Sequence, residues 1–152
     1  MRWHGLTQAV ISHAQLGSIT YHNYYKVITT AHSGAAWKAL LVQDGCDAPT
    51  DVADVNTTIT IPVTAIAVTD TTTLPFVEQI GERSSLKAVG MDAQYISSNC
   101  IHYQIVQNDT KVAYDPIMYA PVPAGIAAAG VNVPSSVALV GKFTDITAVV
   151  VA

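Results

Sequence analysis

Cys100 and His102 stand two residues apart, and a thiol beside an imidazole is the simplest nucleophile a chain can build. On a helix that spacing turns the two side chains to different faces, so it does not make an activated pair. No Gly-x-Ser-x-Gly elbow offers a serine instead. Glu78 and Glu82 are four apart, as paired carboxylates can be, but with Arg83 beside them they read more simply as a solvated helix face. The five histidines (His4, His13, His22, His32 and His102) show neither a His-x-x-x-His spacing nor a zinc-like order with Cys. The run Gly125-Ile126-Ala127-Ala128-Ala129-Gly130 lacks the Lys and the preceding strand of a phosphate loop. The expectation is a chain that is not an enzyme, has no catalytic residue and holds no cofactor or metal of its own.

Binding chemistry is better represented. Thr71, Thr72 and Thr73 bring three hydroxyls and three backbone N–H groups to the start of an apolar-periodic segment, where a ligand can sit at a helix N-terminus. Tyr95 offers a ring for stacking, and Ser97 and Ser98 add hydroxyls in the next turn. For each of these the plainer role is also open, with the hydroxyls capping helices and Tyr95 packing at the surface.

The elements around these residues have a recognisable order. Ile61 to Thr69 is a short, β-branched apolar run, as expected of a strand covered on both faces, with Pro62 at its entry. Leu74, Val77 and Ile80 recur at helical spacing, Pro75 suits the first turn, and Gly81 is a natural stop. Ser85 to Gly90 reads as a second strand, parallel to the first. Met91 to Ser97 is a polar loop, Ser97 or Ser98 caps a helix carrying Ile101, Ile105 and Val106, and Lys111 to Tyr114 is extended again. The β-α-β-α-β order predicts an α/β fold with a small, mainly parallel sheet and flanking helices. Ligands of such sheets lie beyond the carboxyl ends of the strands, which is where the threonine turn and the 91–98 loop fall.

Upstream, Ile19, Tyr21, Tyr25 and Val27 alternate with polar residues and Trp37 to Val42 follows a breaker, which predicts an N-terminal β-hairpin. The chain is thus expected to run as a tail over 1–17, a hairpin and surface loop over 18–58, and an α/β lobe over 59–152. Beyond Asp115, four prolines interrupt an Ala- and Gly-rich run, and no helix is assigned there. Ile146 to Val151 reads as a closing strand.

Composition narrows the setting. Of 152 residues only 12% are charged, roughly half the usual share of about 25%, so Thr, Ser, Asn and Gln must build the surface. Such a surface favours an extracellular, cell-surface or periplasmic location. A net charge of -4 with scattered Lys and Arg leaves no basic stripe for nucleic acid. The apolar runs Val137–Val140 and Ala148–Ala152 fall far short of the roughly 18 residues of a membrane span. His4, Gln8, Ser12 and His13 interrupt any signal-peptide core. Asn56-Thr57-Thr58 and Asn108-Asp109-Thr110 are glycosylation sequons. Cys46 and Cys100 permit one bridge or two unpaired thiols, and the count does not choose between them.

The stretch from Pro62 through Thr71-Thr72-Thr73-Leu74-Pro75-Phe76-Val77 to Gly81, then Ser84-Ser85-Leu86-Lys87-Ala88-Val89-Gly90 and Tyr95-Ile96-Ser97-Ser98, resembles the amino-terminal lobe of periplasmic binding proteins for iron-siderophore and vitamin B12. Tyr21-His22-Asn23-Tyr24-Tyr25 and the Cys46 turn are similar to the eukaryotic, mainly algal or protist, versions. The resemblance covers roughly residues 59 to 114. It implies a lobe that binds a small-molecule chelate through Thr71, Thr72, Thr73, Tyr95, Ser97 and Ser98, delivers it to a membrane transporter, and is closed by a Cys46–Cys100 disulfide. The family joins two such lobes, and 152 residues hold only one. A structural or adhesive surface domain with a degenerate fold of this kind is the alternative.

Overall fold

In the computed structural model, which describes residues 8, 10–13, 15–32, 35–131 and 150–151, the chain divides into two units, Met1–Pro62 and Val63–Ala152. The first unit is built from β1 (Gly17–Tyr21), β2 (Tyr25–His32), β3 (Ala35–Gln43) and β4 (Thr57–Ile61), in that spatial order. β1, β2 and β3 form an antiparallel meander in which Val27 pairs with Leu40 and Tyr25 with Val42. Period-two alternation puts these four on one face, where they make a buried cluster. Tyr24, Cys46, Val52 and Val55 pack against it, so the surface loop expected over 44–58 covers this sheet face and gives way to β4 already at Thr57. β4 then joins β3 in parallel, Leu41 beside Ile59.

The second unit carries β5 (Ile66–Val68), α1 (Leu74–Gln79), β6 (Leu86–Val89), α2 (Asn99–Val106), β7 (Lys111–Val112), β8 (Tyr114–Asp115), β9 (Ala120–Pro121), α3 (Pro123–Ala128) and β10 (Val150–Val151). Its main sheet has the order β10-β5-β6-β7; β5, β6 and β7 run parallel, and β10 is antiparallel to β5. β8 and β9 form a separate two-stranded hairpin.

One extra residue in β6 arranges the core. Ile66 pairs with Leu86 but Ala67 with Ala88, so Lys87 has no opposite number and the alternation shifts there. Leu86 and Val89 consequently join Ile66 and Val68 on one face, with Leu74 and Val77 of α1 and Ile101 of α2. Ala88 joins Ala67 and Ala113 on the other, under Ile126 of α3. The alanine floor lets α3 approach closely: a Cβ on Gly125 would stand 3.0 Å from that of Ala113. With both faces covered, β5 is buried at every position, the condition that produces a continuous apolar strand.

Three expectations need correction. The sheet is not mainly parallel: the arrangement is mixed, and antiparallel pairing predominates among the described residues, through the meander, β10 and the β8–β9 hairpin. The run from Ile61 to Thr69 is not one strand. Its start belongs to β4 of the first unit and its end to β5 of the second, with Pro62, which has no N–H to give a ladder, between them. Nor is there a disulfide. Both cysteines are free, Cys46 half-buried against the first sheet and Cys100 exposed at the second residue of α2. Two smaller differences follow from geometry. Ile80 falls on the C-cap of α1 and is 69% exposed, and the Ala-rich run after Asp115 does contain a helix, α3, with Pro123 in its first turn. Of the expected closing strand, Val150 and Val151 are seen, and 146–149 lie outside the described residues.

Candidate functional site

Because β5, β6 and β7 are parallel, their carboxyl ends share one edge, and three segments leave from it: 69–73, 90–98 and 113–121. The first two hold every hydroxyl and ring singled out from the sequence. The third was not foreseen.

In the first segment the threonines are bound by their own chain. Asp70 Oδ1 accepts from the backbone N–H of Thr72 at 2.8 Å, the N–H of Thr73 at 3.0 Å and the Thr72 hydroxyl, while Oδ2 accepts from the Thr73 hydroxyl at 2.6 Å. A carboxylate of the protein thus takes the N–H groups just before α1, and α1 has only six residues. Thr71 and Thr72 are exposed and Thr73 is half-buried. Burial raises the pKa of Asp70, but the hydrogen bonds from Thr72 and Thr73 outweigh it, and the carboxyl ends below its ordinary 3.8. A depressed carboxylate stabilises the fold fully above 3.8 and loses that contribution as pH falls through its folded value. Asp70→Asn should cost no more than about 1 kcal/mol at pH 7, because solvent screens this partly exposed carboxylate. In urea melts the gap between variant and parent should close as pH drops below 3.8, whereas a gap constant with pH would assign the loss to packing.

The second segment opens with Gly90, whose N–H donates to Val68 O at 2.8 Å. Asp92 caps a 3-10 turn over Ala93–Tyr95, accepting from the Gln94 N–H at 3.0 Å and the Gln94 amide at 2.6 Å. Tyr95 is left 64% exposed, and Ser97 is exposed. Ser98 is a structural residue: its hydroxyl oxygen accepts from the Ile101 N–H at 3.3 Å and its O–H donates to Glu78 at 2.7 Å, tying α2 to α1.

The third segment runs from Ala113, whose N–H continues the sheet to Val89 O at 2.8 Å, into the β8–β9 hairpin. Asp115 Oδ1 accepts from the N–H groups of Ile117 at 2.8 Å and Met118 at 3.1 Å, and Tyr119 takes a left-handed backbone, φ 49°. The tip is mostly uncovered, with Ile117 84%, Met118 72% and Tyr119 80% exposed. Burial, Asp92, Tyr95, Tyr119 and Asp115, in that order, raise the pKa of Tyr114 above its ordinary 10.0. Tyr114 and Tyr119 join Tyr95 as ring-bearing residues of this edge. The two-residue strands of this hairpin have no readable period, and the sequence signal is a turn-forming Asp115-Pro116 between two tyrosines.

Away from this edge, an open hollow of about 520 Å³ is lined by Gly81, Arg83, Ser84, Asn99, Cys100, Tyr103, Gln104 and Asp109. Cys100 lies in it, and the His102 ring is engaged elsewhere, with Ile96 O at 2.7 Å. Among the described residues no group of three or more His, Cys, Asp or Glu converges as a metal site, and no helix is long and apolar enough to cross a membrane. Comparison with known proteins finds no matching family model, no matching curated protein and no matching solved structure.

Proposed function

We propose that residues 63–152 form a ligand-binding lobe of an extracytoplasmic receptor, which takes up an iron chelate, siderophore or related metal complex and delivers it to a membrane transporter. The observation that carries this reading is the shared carboxyl edge of the parallel strands β5, β6 and β7, from which the segments bearing Thr71, Tyr95 and Tyr119 all leave. Open α/β sheets hold their ligands there, and the resemblance of residues 59–114 to iron-siderophore and vitamin B12 binding lobes supports a chelate as the ligand.

A structural or adhesive surface domain is the second reading, and two observations favour it. The Thr72 and Thr73 hydroxyls already serve Asp70, and the hairpin tip presents Ile117, Met118 and Tyr119 outward as docking elements do. Calorimetric and thermal titration of the full chain with a ferric trihydroxamate and with a cobalamin separates the two. A receptor lobe binds one of them saturably and without covalent change, and at a ligand concentration a hundredfold above Kd gains about 2.7 kcal/mol of stability. A folded chain that binds neither leaves the adhesive reading.

A further inference from the structure

The two Asn-x-Thr sequons take no part in the carboxyl edge, and the fold treats them differently. Asn56 is fastened to a strand backbone: its Oδ1 accepts from the Lys38 N–H at 2.7 Å, and its own N–H donates to Lys38 O at 2.9 Å. Both bonds hold it to β3 one residue ahead of β4, and Thr57 after it is buried.

Asn108 stands in the turn that ends α2. Its N–H donates to Ile105 O at 3.0 Å and its backbone is left-handed, φ 67°, a helix stop that asparagine tolerates better than most residues with a side chain. Gln107, Asn108 and Asp109 are all exposed. The Asn108 Oδ1 accepts from the ammonium of Lys111, an exposed and flexible side chain that can swing aside, unlike the backbone donor at Asn56. The amide nitrogen Nδ2, where a glycan attaches, has no hydrogen bond among the described residues.

The turn also lies at a defined end of the sheet. α2 leads away from the carboxyl edge and the chain returns to the start of β7, so residues 107–110 lie at the amino-terminal end of β6 and β7. A sugar on Asn108 therefore emerges at the opposite end of the strands from 69–73, 90–98 and 113–121, and leaves that edge open. The third residue of the sequon sets the order of events. Thr110 is 1% exposed and its hydroxyl donates to Leu86 O at 2.8 Å, so a transferase that reads this hydroxyl reaches it only before β7 docks on β6.

Resting on the extracytoplasmic placement proposed above, we infer that Asn108, and not Asn56, carries an N-linked glycan, added while the chain is unfolded. In the transfer, Nδ2 bonds to the anomeric carbon of an oligosaccharide linked to a lipid pyrophosphate. The bond from that carbon to the pyrophosphate oxygen breaks, the lipid pyrophosphate leaves with the electron pair, and the amide gives up one proton to a base of the transferase.

The test takes the full chain from its own cells, releases N-glycans with a peptide N-glycosidase in heavy-oxygen water, and maps tryptic peptides. Cleavage at Lys38, Arg83, Lys87 and Lys111 places Asn56 on residues 39–83 and Asn108 on residues 88–111. The glycosidase turns a glycan-bearing asparagine into labelled aspartate, and label at Asn108 with none at Asn56 is the expected result. An unlabelled Asn108 overturns the site, and label at Asn56 overturns the choice between the two. Asn108→Gly keeps the left-handed backbone without steric cost and should lose the glycan, while Thr110→Ser should retain it. In a second arm the folded full chain, made in a host without the transferase, is offered to the transferase and a lipid-pyrophosphate oligosaccharide. No transfer to Asn108 is expected, and transfer there overturns the requirement for an unfolded chain. None of these readouts involves a chelate, so a bare Asn108 leaves the receptor reading to its own titration, and failure of that titration leaves the glycan in place.

Discussion

Ile101→Ala should destabilise the second unit by about 2–5 kcal/mol, the cost of a core cavity that its neighbours cannot fully close. Ile101 has no exposed surface and sits where α2 meets the buried face formed by Ile66, Val68, Leu86 and Val89. The helix that carries it is only eight residues long, too short to persist by its own propensity, so α2 depends on this contact and on the Ser98 cap. Losing the contact should loosen the 90–98 segment as well, since Met91 and Ile96 belong to the same cluster. Val106→Ala, two turns from the cap on a 77% exposed position, is the matched control and should stay within about 0.5 kcal/mol of the parent. Chemical denaturation of the pair checks this, and equal effects at both positions would show that α2 is not anchored through Ile101.

The second large effect is at Gly90. A Cβ there would stand 2.7 Å from Pro121 Cβ and 3.1 Å from Thr69 Cγ2, and Pro121 Cβ belongs to a ring that has no other rotamer to retreat to. Gly90→Ala should therefore cost about 1–3 kcal/mol through overpacking. Gly90 occupies the centre of the carboxyl edge, so the strain falls on the site itself, pushing β9 and its hairpin away from Thr69. The companion change Pro121→Gly removes the clashing atom and should return part of the lost stability in the double variant. Strict additivity of the two substitutions would mean that the clash is not what Gly90 avoids.

What could be read in advance follows from how local each signal is. Leu74 and Val77 sit at helical spacing and Ser98 was one of two N-cap residues offered for the next helix, so α1 and α2 were legible, though the cap of α1 was not singled out. The helix α3 was not, because its contact layer is made of Ala67, Ala88 and Ala113, side chains too small to produce an apolar period. Strand polarity depends on partners distant in sequence. Nothing local to Thr57–Ile61 shows that it lies parallel to β3, and the two residues of β10 do not announce that they run against β5. That is why a mainly parallel sheet was expected and a mixed, mostly antiparallel arrangement was found.

The site was half legible for a related reason. Thr71, Thr72, Thr73 and Tyr95 follow strand ends that the pattern located, so their place at the carboxyl edge was foreseeable. Their hydrogen bonding was not: Asp70 precedes the threonines and takes the N–H groups and the hydroxyls of Thr72 and Thr73. Tyr114 and Tyr119 reach the edge only because the hairpin folds back beside Gly90, a long-range packing fact. The proposed Cys46–Cys100 bridge rested on a resemblance, and the two thiols are free.

The central claim is that the carboxyl edge of β5, β6 and β7 is where this protein binds. Ring-selective labelling of tyrosine, followed by NMR during titration with a gallium(III) trihydroxamate, the diamagnetic counterpart of the ferric chelate, tests it most directly. The account predicts saturable shifts at Tyr95, Tyr114 and Tyr119, with Tyr103 unmoved beside the hollow that holds Cys100. Shifts confined to Tyr103, with the three edge tyrosines silent, would contradict it.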